Sequence, residues 1–364
     1  MMIEWLLELL GGRPAGSAPC EDQVDALAAL ATRHRVPAEA LEAWQTRETS
    51  AAWPPPPQSL LVVAREAKLR SLGNAVWSAR LGARLSDAGI PFIALKGPAL
   101  SAHIYGDPSR RVTRDIDILV APDRFGATVE VAEALGWRMP ADWQRIRRIV
   151  RSFDLELLGG TPLQPMLDVH GQFFGSHMHS PSIGEVPTVD VALGGGSVPT
   201  LAPAAQIAYV ALHGAKHLWF RLIWLTDLAE LLDRNELPPD EIVRCARAWR
   251  AEAALQAGVH LCRTHLGREF PKFPSSCRAM SGRAKMIAKW ASARLAAGPD
   301  ARETLRWHVQ ERLVSDAVTR ALVHSALDFL RPAEIDVRAL GPERAVIAHY
   351  LSRPLFWMRR RFSP

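Results

Sequence analysis

The sequence lacks the features that would cross-link the chain or carry it through a membrane. It has only four cysteines, which lie far apart and form no CxxC pair: Cys20, Cys245, Cys262 and Cys277. This usage is typical of a reducing compartment and argues against a disulfide or zinc framework. No apolar run approaches the roughly 20 residues that span a bilayer, and the amphipathic start, residues 1–10, lacks the pattern of a signal peptide. We therefore expect an unprocessed, cytoplasmic protein with no transmembrane segment.

Lysine is also scarce, with six lysines against 38 arginines. A lysine inside a motif is therefore less easily explained by composition alone. The formal net charge of +6 favours anionic partners, but no stripe of interleaved basic and aromatic residues indicates nucleic-acid binding. Apolar residues make up 48% of the 364 residues and charged residues 23%, a balance typical of packed globular proteins.

Helical periodicity dominates both ends of the chain. Apolar residues at helical spacing predict short helices in the first 52 residues, and the run Pro54–Pro57 ends that unit as a linker. The same spacing predicts a helix over 59–88 and six further helices from residue 204 onward, the last of them over 304–329.

Between these helical parts the period changes to that of strands. Short apolar runs predict strands at 90–95, 115–120, 152–158 and 163–170. We therefore predict an α+β fold, in which a small mixed sheet of four or five strands is flanked by an N-terminal helical segment and a C-terminal helical bundle. The predicted division is a helical segment with its proline linker, a sheet core and a helical domain, over residues 1–57, 58–200 and 201–364.

Two aspartates on one predicted strand are the strongest chemical signal. Asp115 and Asp117 lie two residues apart, so both carboxylates project from one face of the strand while Ile116 and Ile118 point into the core. Two carboxylates at this spacing attract a divalent cation such as Mg²⁺. The motif alone means little, because 18 aspartates in this chain give about one DxD match by chance.

The residues upstream of this pair suit phosphate. Gly97, in a predicted strand–turn–helix, lets backbone N–H groups approach phosphate oxygens, and Lys96 adds a positive charge beside it. Three arginines before the pair, Arg110, Arg111 and Arg114, lie within reach of a triphosphate or of an acceptor anion. The sequence therefore predicts a phosphate site next to the carboxylates.

A third carboxylate would complete a cage for two metal ions. Asp168, on a later predicted strand, is the preferred candidate, and Asp154, Glu156 and Asp190 are alternatives if the strand phase differs. His170, two residues after Asp168, either coordinates an ion or supports one of its ligands.

With these residues in view, the sequence resembles a known family. The segment ALKGPALSAHIYGDPSRRVTRDIDILV (94–120) is similar to the motif of the uncharacterised nucleotidyltransferase group within the DNA polymerase β-like nucleotidyltransferase superfamily. LDVH (167–170) and residues 201–232 resemble later motifs of that group, in the same order. The resemblance covers roughly residues 60–235. It implies a Mg²⁺-dependent nucleotidyltransferase that binds two ions and uses a nucleoside triphosphate as co-substrate.

The resemblance also implies roles for individual residues. It makes three acidic residues the metal ligands and catalytic carboxylates: Asp115, Asp117 and Asp168. It assigns nucleotide binding to Lys96, Gly97 and Arg111. We add Lys216, which matches a position of the later helical motif, and Arg114, which stands where a small residue is expected. The turn departs from the Gly-Gly or Gly-Ser usual in the superfamily, because here it is Lys-Gly-Pro, and Pro98 removes one N–H that could hold phosphate.

The predicted reaction is transfer of NMP from an NTP to an acceptor hydroxyl or phosphate with release of pyrophosphate. The acceptor could be a small molecule, a sugar phosphate, a peptide or a protein. A noncatalytic nucleotide-binding module and a metal-dependent hydrolase using His213, His217 and Asp227 are the alternatives, since the two histidines lie four residues apart on one helical face. We prefer substrate contact or a hydrogen bond to Asp227 for these histidines, because the adjacent Lys216 disfavours a cation.

Overall fold

The structure is a computed structural model that describes residues 2–11, 21–48, 54–140, 154–174, 181–273, 280–298, 334–341 and 343–362, with isolated positions between them. The helices of these residues are α1 (Met2–Leu10), α2 (Glu21–Arg33), α3 (Pro37–Glu48), α4 (Gln58–Asp87), α5 (Gly97–Tyr105), α6 (Phe125–Ala134), α7 (Pro203–Lys216), α8 (Leu222–Arg234), α9 (Pro239–Ala248), α10 (Glu252–Leu266), α11 (Gly282–Ala297), α12 (Glu334–Leu340) and α13 (Val346–Phe362). The strands are β1 (Phe92–Ala94), β2 (Asp115–Val120), β3 (Asp154–Leu157), β4 (Met166–His170), β5 (Thr188–Leu193) and β6 (Gly196–Leu201).

The strands form one mixed sheet in the order β3-β4-β2-β1-β6-β5. Strand β2 runs antiparallel to β1 and parallel to β4, while β6 runs parallel to β1. The α+β prediction is confirmed, but the described sheet has six strands because β5 and β6 form a hairpin that was not predicted. Gly194 and Gly195 connect them with φ values of 51° and 94°, as a two-residue turn with positive φ at both positions requires.

Both faces of the central strand β2 are covered by helices. Ile116 and Ile118 are buried in a core shared with α4 and α6, as predicted. Leu119 points the other way, into a second core formed with α7 and α8. Asp117 has the same parity as Leu119, so its carboxylate lies on the face that the C-terminal helices cover.

The N-terminal helices pack against the rest of the chain. Helices α2 and α3 contact α4, and α1 contacts α10. A single apolar core includes Leu6 and Trp44 from this segment together with Trp219 and Leu255. The Trp44 indole N–H also donates to the Pro54 carbonyl at 2.9 Å, which ties α3 to the proline run. Burying side chains of this size contributes about 1.5–3 kcal/mol each.

Some predictions fall partly outside the described residues. The predicted helix 304–329 lies outside them except at isolated positions. Cys20 and Cys277 also lie outside the described residues. Cys262 is buried and Cys245 is half-buried, and both are free thiols. Among the helices that the structure describes, none combines the length and apolar character needed to cross a membrane.

Candidate active site

The parallel pairing of β2 and β4 brings two predicted carboxylates together. Asp117 lies directly opposite Asp168 in the strand register, and Leu119 lies opposite His170. Strand alternation therefore puts the three polar side chains on one face of the sheet. Asp117, Asp168 and His170 each offer a ligand atom within 4.8 Å of the others, which makes them the one three-residue candidate metal site found among the described residues.

Asp117 is held by two basic groups. The Lys96 ammonium donates to Asp117 Oδ1 at 2.7 Å, and His170 Nε2 lies 3.3 Å from the same oxygen. Burial disfavours the charged carboxylate, but the Lys96 charge and the hydrogen bond from His170 hold the pKa of Asp117 well below its usual range. Burial likewise disfavours the ammonium, yet the Asp117 charge raises the pKa of Lys96 above its usual value. Both groups are therefore charged at neutral pH.

His170 bridges two aspartates. Its Nδ1 lies 3.1 Å from Asp154 Oδ1, while Nε2 faces Asp117. Burial opposes protonation, but these two hydrogen bonds raise the pKa of His170 to about 9. The ring therefore carries a proton on both nitrogens in this arrangement and acts as a hydrogen-bond donor. Coordination of a cation by His170 would require loss of one of these protons.

Asp168 carries the clearest sign of a missing partner. Its Oδ1 is buried and has no hydrogen-bond partner among the described residues. Burial, followed by the negative charges of Asp117 and Asp115, raises the pKa of Asp168 to about 7. A buried carboxylate oxygen without a donor is costly unless a proton or a cation satisfies it. The carboxylates of Asp117 and Asp168, with one unpaired oxygen on Asp168, suit a hard divalent cation such as Mg²⁺.

The predicted glycine turn lies against the carboxylate strand. Gly97 has a φ of 62°, and a Cβ built on it would lie 3.3 Å from the Asp115 carbonyl oxygen. Only glycine adopts this conformation without strain, and it lets the turn approach β2 closely. Helix α5 starts at Gly97 with Pro98 in its first turn, so its N-terminus and Lys96 lie beside Asp117. A helix N-terminus next to an ammonium group favours a bound anion.

Helix α7 covers this face with aromatic rings. Tyr209 is buried, and burial raises its pKa to about 12 while the nearby Lys96 charge opposes the shift. His213 stacks on Tyr209 with centroids 5.9 Å apart, and His217 stacks on Trp224 at 4.9 Å. Burial, followed by neighbouring positive charges, holds the pKa values of both histidines well below the usual range. Both imidazoles are therefore neutral packing groups at neutral pH.

Asp227 pairs with an arginine instead of with these histidines. Arg111 Nε donates to Asp227 Oδ1 at 2.8 Å and to Oδ2 at 3.0 Å, and both side chains are buried. Ser71 and Ser101 fix the Arg111 backbone through its carbonyl and its N–H. The expected hydrogen bond between the histidines and Asp227 is absent from the contacts of these described side chains. The pair ties the segment before β2 to α8.

The remaining predicted site residues lie around this centre. Asp115 is half-buried and lies outside the three-residue cluster, although it precedes Asp117 on the same strand face. Arg114 is exposed, and Lys216 is half-buried at the last residue of α7. Their roles in metal or nucleotide binding stay predictions.

The alternatives for the third carboxylate lie at different distances along the sheet. Glu156 on β3 is the register partner of Asp168, and Asp154 is bound to His170. Asp190 lies on β5, three strands from β2, or about 14 Å away at the usual spacing. Strand order thus separates Asp190 from the other candidates. Tyr209 was not among the predicted site residues, although it lies four residues before His213 and therefore on the same face of the helix.

Paired carboxylates on a mixed sheet, beside a glycine turn that starts a helix, are the arrangement that the family resemblance predicts. The chain belongs to the uncharacterised nucleotidyltransferase family, whose profile matches residues 21–267. A similar solved structure is that of an antigenic nucleotidyltransferase-like protein from Paracoccidioides brasiliensis, with 13% identity and a TM-score of 0.36 over 57% of this chain and 96% of that one. No curated protein matches the chain.

Proposed function

We propose that the protein is a Mg²⁺-dependent nucleotidyltransferase that transfers NMP from a nucleoside triphosphate to an acceptor hydroxyl or phosphate. The observation that carries this proposal is the buried, unpartnered oxygen of Asp168 opposite Asp117, next to the Lys96–Gly97 turn. Membership of the nucleotidyltransferase family supports the same reaction class.

Asp117 and Asp168 would hold the cation, and Asp115 is the candidate to share a second ion. When bound, Mg²⁺ would supply positive charge that stabilises phosphate oxygens in the transition state. The N-terminus of α5 and Lys96 would bind the triphosphate. Because the Lys96 ammonium lies on Asp117, it reaches a phosphate only by sharing or leaving that carboxylate.

The transfer makes one bond and breaks one bond. An oxygen of the acceptor attacks the α-phosphorus, and the bond from that phosphorus to the β-phosphate oxygen breaks, so pyrophosphate leaves with the electron pair. We assign the proton of an acceptor hydroxyl to the Asp168 oxygen that does not hold the cation. Lys96 balances charge on the leaving pyrophosphate.

The hydrolase alternative has less support. Asp227 is bound to Arg111, and His213 and His217 are stacked on aromatic rings. A noncatalytic nucleotide-binding module would need no open oxygen at Asp168. Intact carboxylates at both register positions favour the enzyme.

The test is pyrophosphate release from each of the four NTPs with Mg²⁺ and a cell extract as the acceptor source. We expect release by the parent chain and a loss of at least about 100-fold in the Asp117→Asn variant. Asp123→Asn is the matched control, because it removes the same charge from an exposed carboxylate just after β2 and should keep parent activity. An Asp117→Asn variant as active as the parent would contradict the assignment. An α-labelled NTP then identifies the product.

A further inference from the structure

A second charged cavity lies beside the start of β2. It has a volume of about 370 Å³, within the range of small-molecule sites. Its charged lining comes from the end of α2 and the turn after it, from α4, and from the residues preceding β2 and α8. This lining, which we call the arginine cavity, comprises Arg33, Arg35, Arg70, Arg114, Arg221 and a single acid, Glu66.

The turn that carries Arg35 is fixed by the C-terminal helices. His34 Nδ1 accepts a hydrogen bond from the Leu222 N–H at 3.3 Å, and the His34 carbonyl accepts one from the Ile223 N–H at 3.2 Å. Arg35 has a φ of 62°, in the left-handed region that non-glycine residues rarely adopt. The Val36 N–H donates to the Ala31 carbonyl at 2.8 Å across this residue, which is the closing hydrogen bond of a helix end with a left-handed residue. These contacts bring Arg35 and Arg221 together in one wall of the arginine cavity.

The described lining of the cavity holds five arginines and one acid. Arg35, Arg70 and Arg114 form no ion pair with any residue that the structure describes. Burial and the charge of Arg221 lower the pKa of Arg35 to about 10, although the Asp115 carboxylate opposes this shift. A bound anion would relieve the repulsion. The planar fork of a guanidinium matches phosphate, which it binds through two parallel hydrogen bonds.

The arginine cavity is separate from the turn assigned to the nucleotide. None of its charged residues lies on β1, on α5 or on the turn between them, yet Arg114 directly precedes Asp115. A nucleoside triphosphate has one polyphosphate chain, so a second anion site beside the centre fits the other substrate. We propose that the arginine cavity binds the phosphate of a phosphorylated acceptor, an inference that rests on the proposed nucleotidyl transfer. This phosphate serves as an anchor and keeps all its bonds.

Direct binding tests this proposal with inorganic phosphate and glucose 6-phosphate as probes and glucose as the uncharged match. Calorimetry at constant ionic strength, with and without a saturating non-hydrolysable ATP analogue, should show both phosphates bound in either case and glucose unbound. Arg35→Gln and Arg70→Gln should each weaken phosphate binding by about tenfold and leave the analogue affinity unchanged. Arg70→Lys keeps the positive charge but lacks the planar guanidinium, so its phosphate affinity should lie between those of the parent and of Arg70→Gln.

Arg84→Gln is the matched control, because it removes an arginine from the far end of the same helix α4, at a different cavity. It should bind phosphate like the parent. The proposal is overturned if neither phosphate binds, if the analogue displaces them, or if the arginine variants lose analogue affinity instead. The last two results would assign the cavity to the triphosphate. Failure of nucleotidyl transfer would appear separately, as absent pyrophosphate release by the parent, because these binding curves need no turnover.

Discussion

Replacing Arg111 with methionine should destabilise the whole protein, well beyond any effect on nucleotide binding. Its Nε donates to both oxygens of Asp227 at 2.8 and 3.0 Å, and the two side chains are only 7% and 2% exposed. Removing one partner leaves the other charge buried without compensation, at a cost of about 3–5 kcal/mol. Because the pair joins the segment before β2 to α8, the sheet and the helices lose stability together.

The assay is a double-mutant cycle on urea unfolding, followed by tryptophan fluorescence. Arg111→Met and Asp227→Leu should each lower the free energy of unfolding by about 3 kcal/mol or more. The double variant should lose less than the sum, because apolar groups replace both charges. The reasoning is refuted if Arg111→Met unfolds at the parent midpoint but no longer binds a non-hydrolysable ATP analogue. Arg111 would then contact the nucleotide, as the family resemblance implies.

Two further predictions concern a buried acid and the glycine turn. Both carboxylate oxygens of Glu39 are buried and lack a hydrogen-bond partner in the described part of the chain, and burial raises the pKa of Glu39 from 4.5 to about 8. Between these two pKa values the folded state keeps a proton that the unfolded state has released. The free energy of unfolding should therefore fall as the pH rises, by roughly 2.5 kcal/mol between pH 5 and 7. Glu39→Gln should remove this part of the pH dependence of urea unfolding, and parallel curves for the two chains would count against a neutral buried carboxyl. Gly97→Ala should lower the free energy of unfolding by about 1–2 kcal/mol, because the residue has positive φ. Gly126→Ala, whose new methyl group lies in open space on α6, should not lower the free energy of unfolding in the same urea assay. Equal stability of the two variants would contradict the strain at Gly97.

Local patterns were sufficient for the elements that carry the candidate site. The run over 115–120 predicted β2 at its observed bounds, and Pro98 marked the start of α5. Alternation along β2 correctly separated Asp117 from Ile116. These features depend on neighbouring residues only, so a single sequence contains the information.

Local patterns did not predict the contacts between residues that are distant in the sequence. The hairpin of β5 and β6 joins the sheet through β1, about 100 residues earlier in the chain. The pairing of Lys96 with Asp117 and of Arg111 with Asp227 depends on how strands and helices meet in three dimensions. Arg35 was overlooked because the proline run suggested a separate N-terminal unit, whereas α2 and α3 pack against α4.

The contact of α1 with α10 has a consequence for how the chain is made. Helices α2 and α3, which follow α1 directly, contact it as well, but α10 begins only at residue 252. At typical ribosomal rates the part of α1 that α10 contacts stays uncovered for on the order of 10 to 50 s. During that interval the nascent chain has only α2 and α3 to pack against α1, so a slowed ribosome before residue 252 would prolong the exposure of this surface.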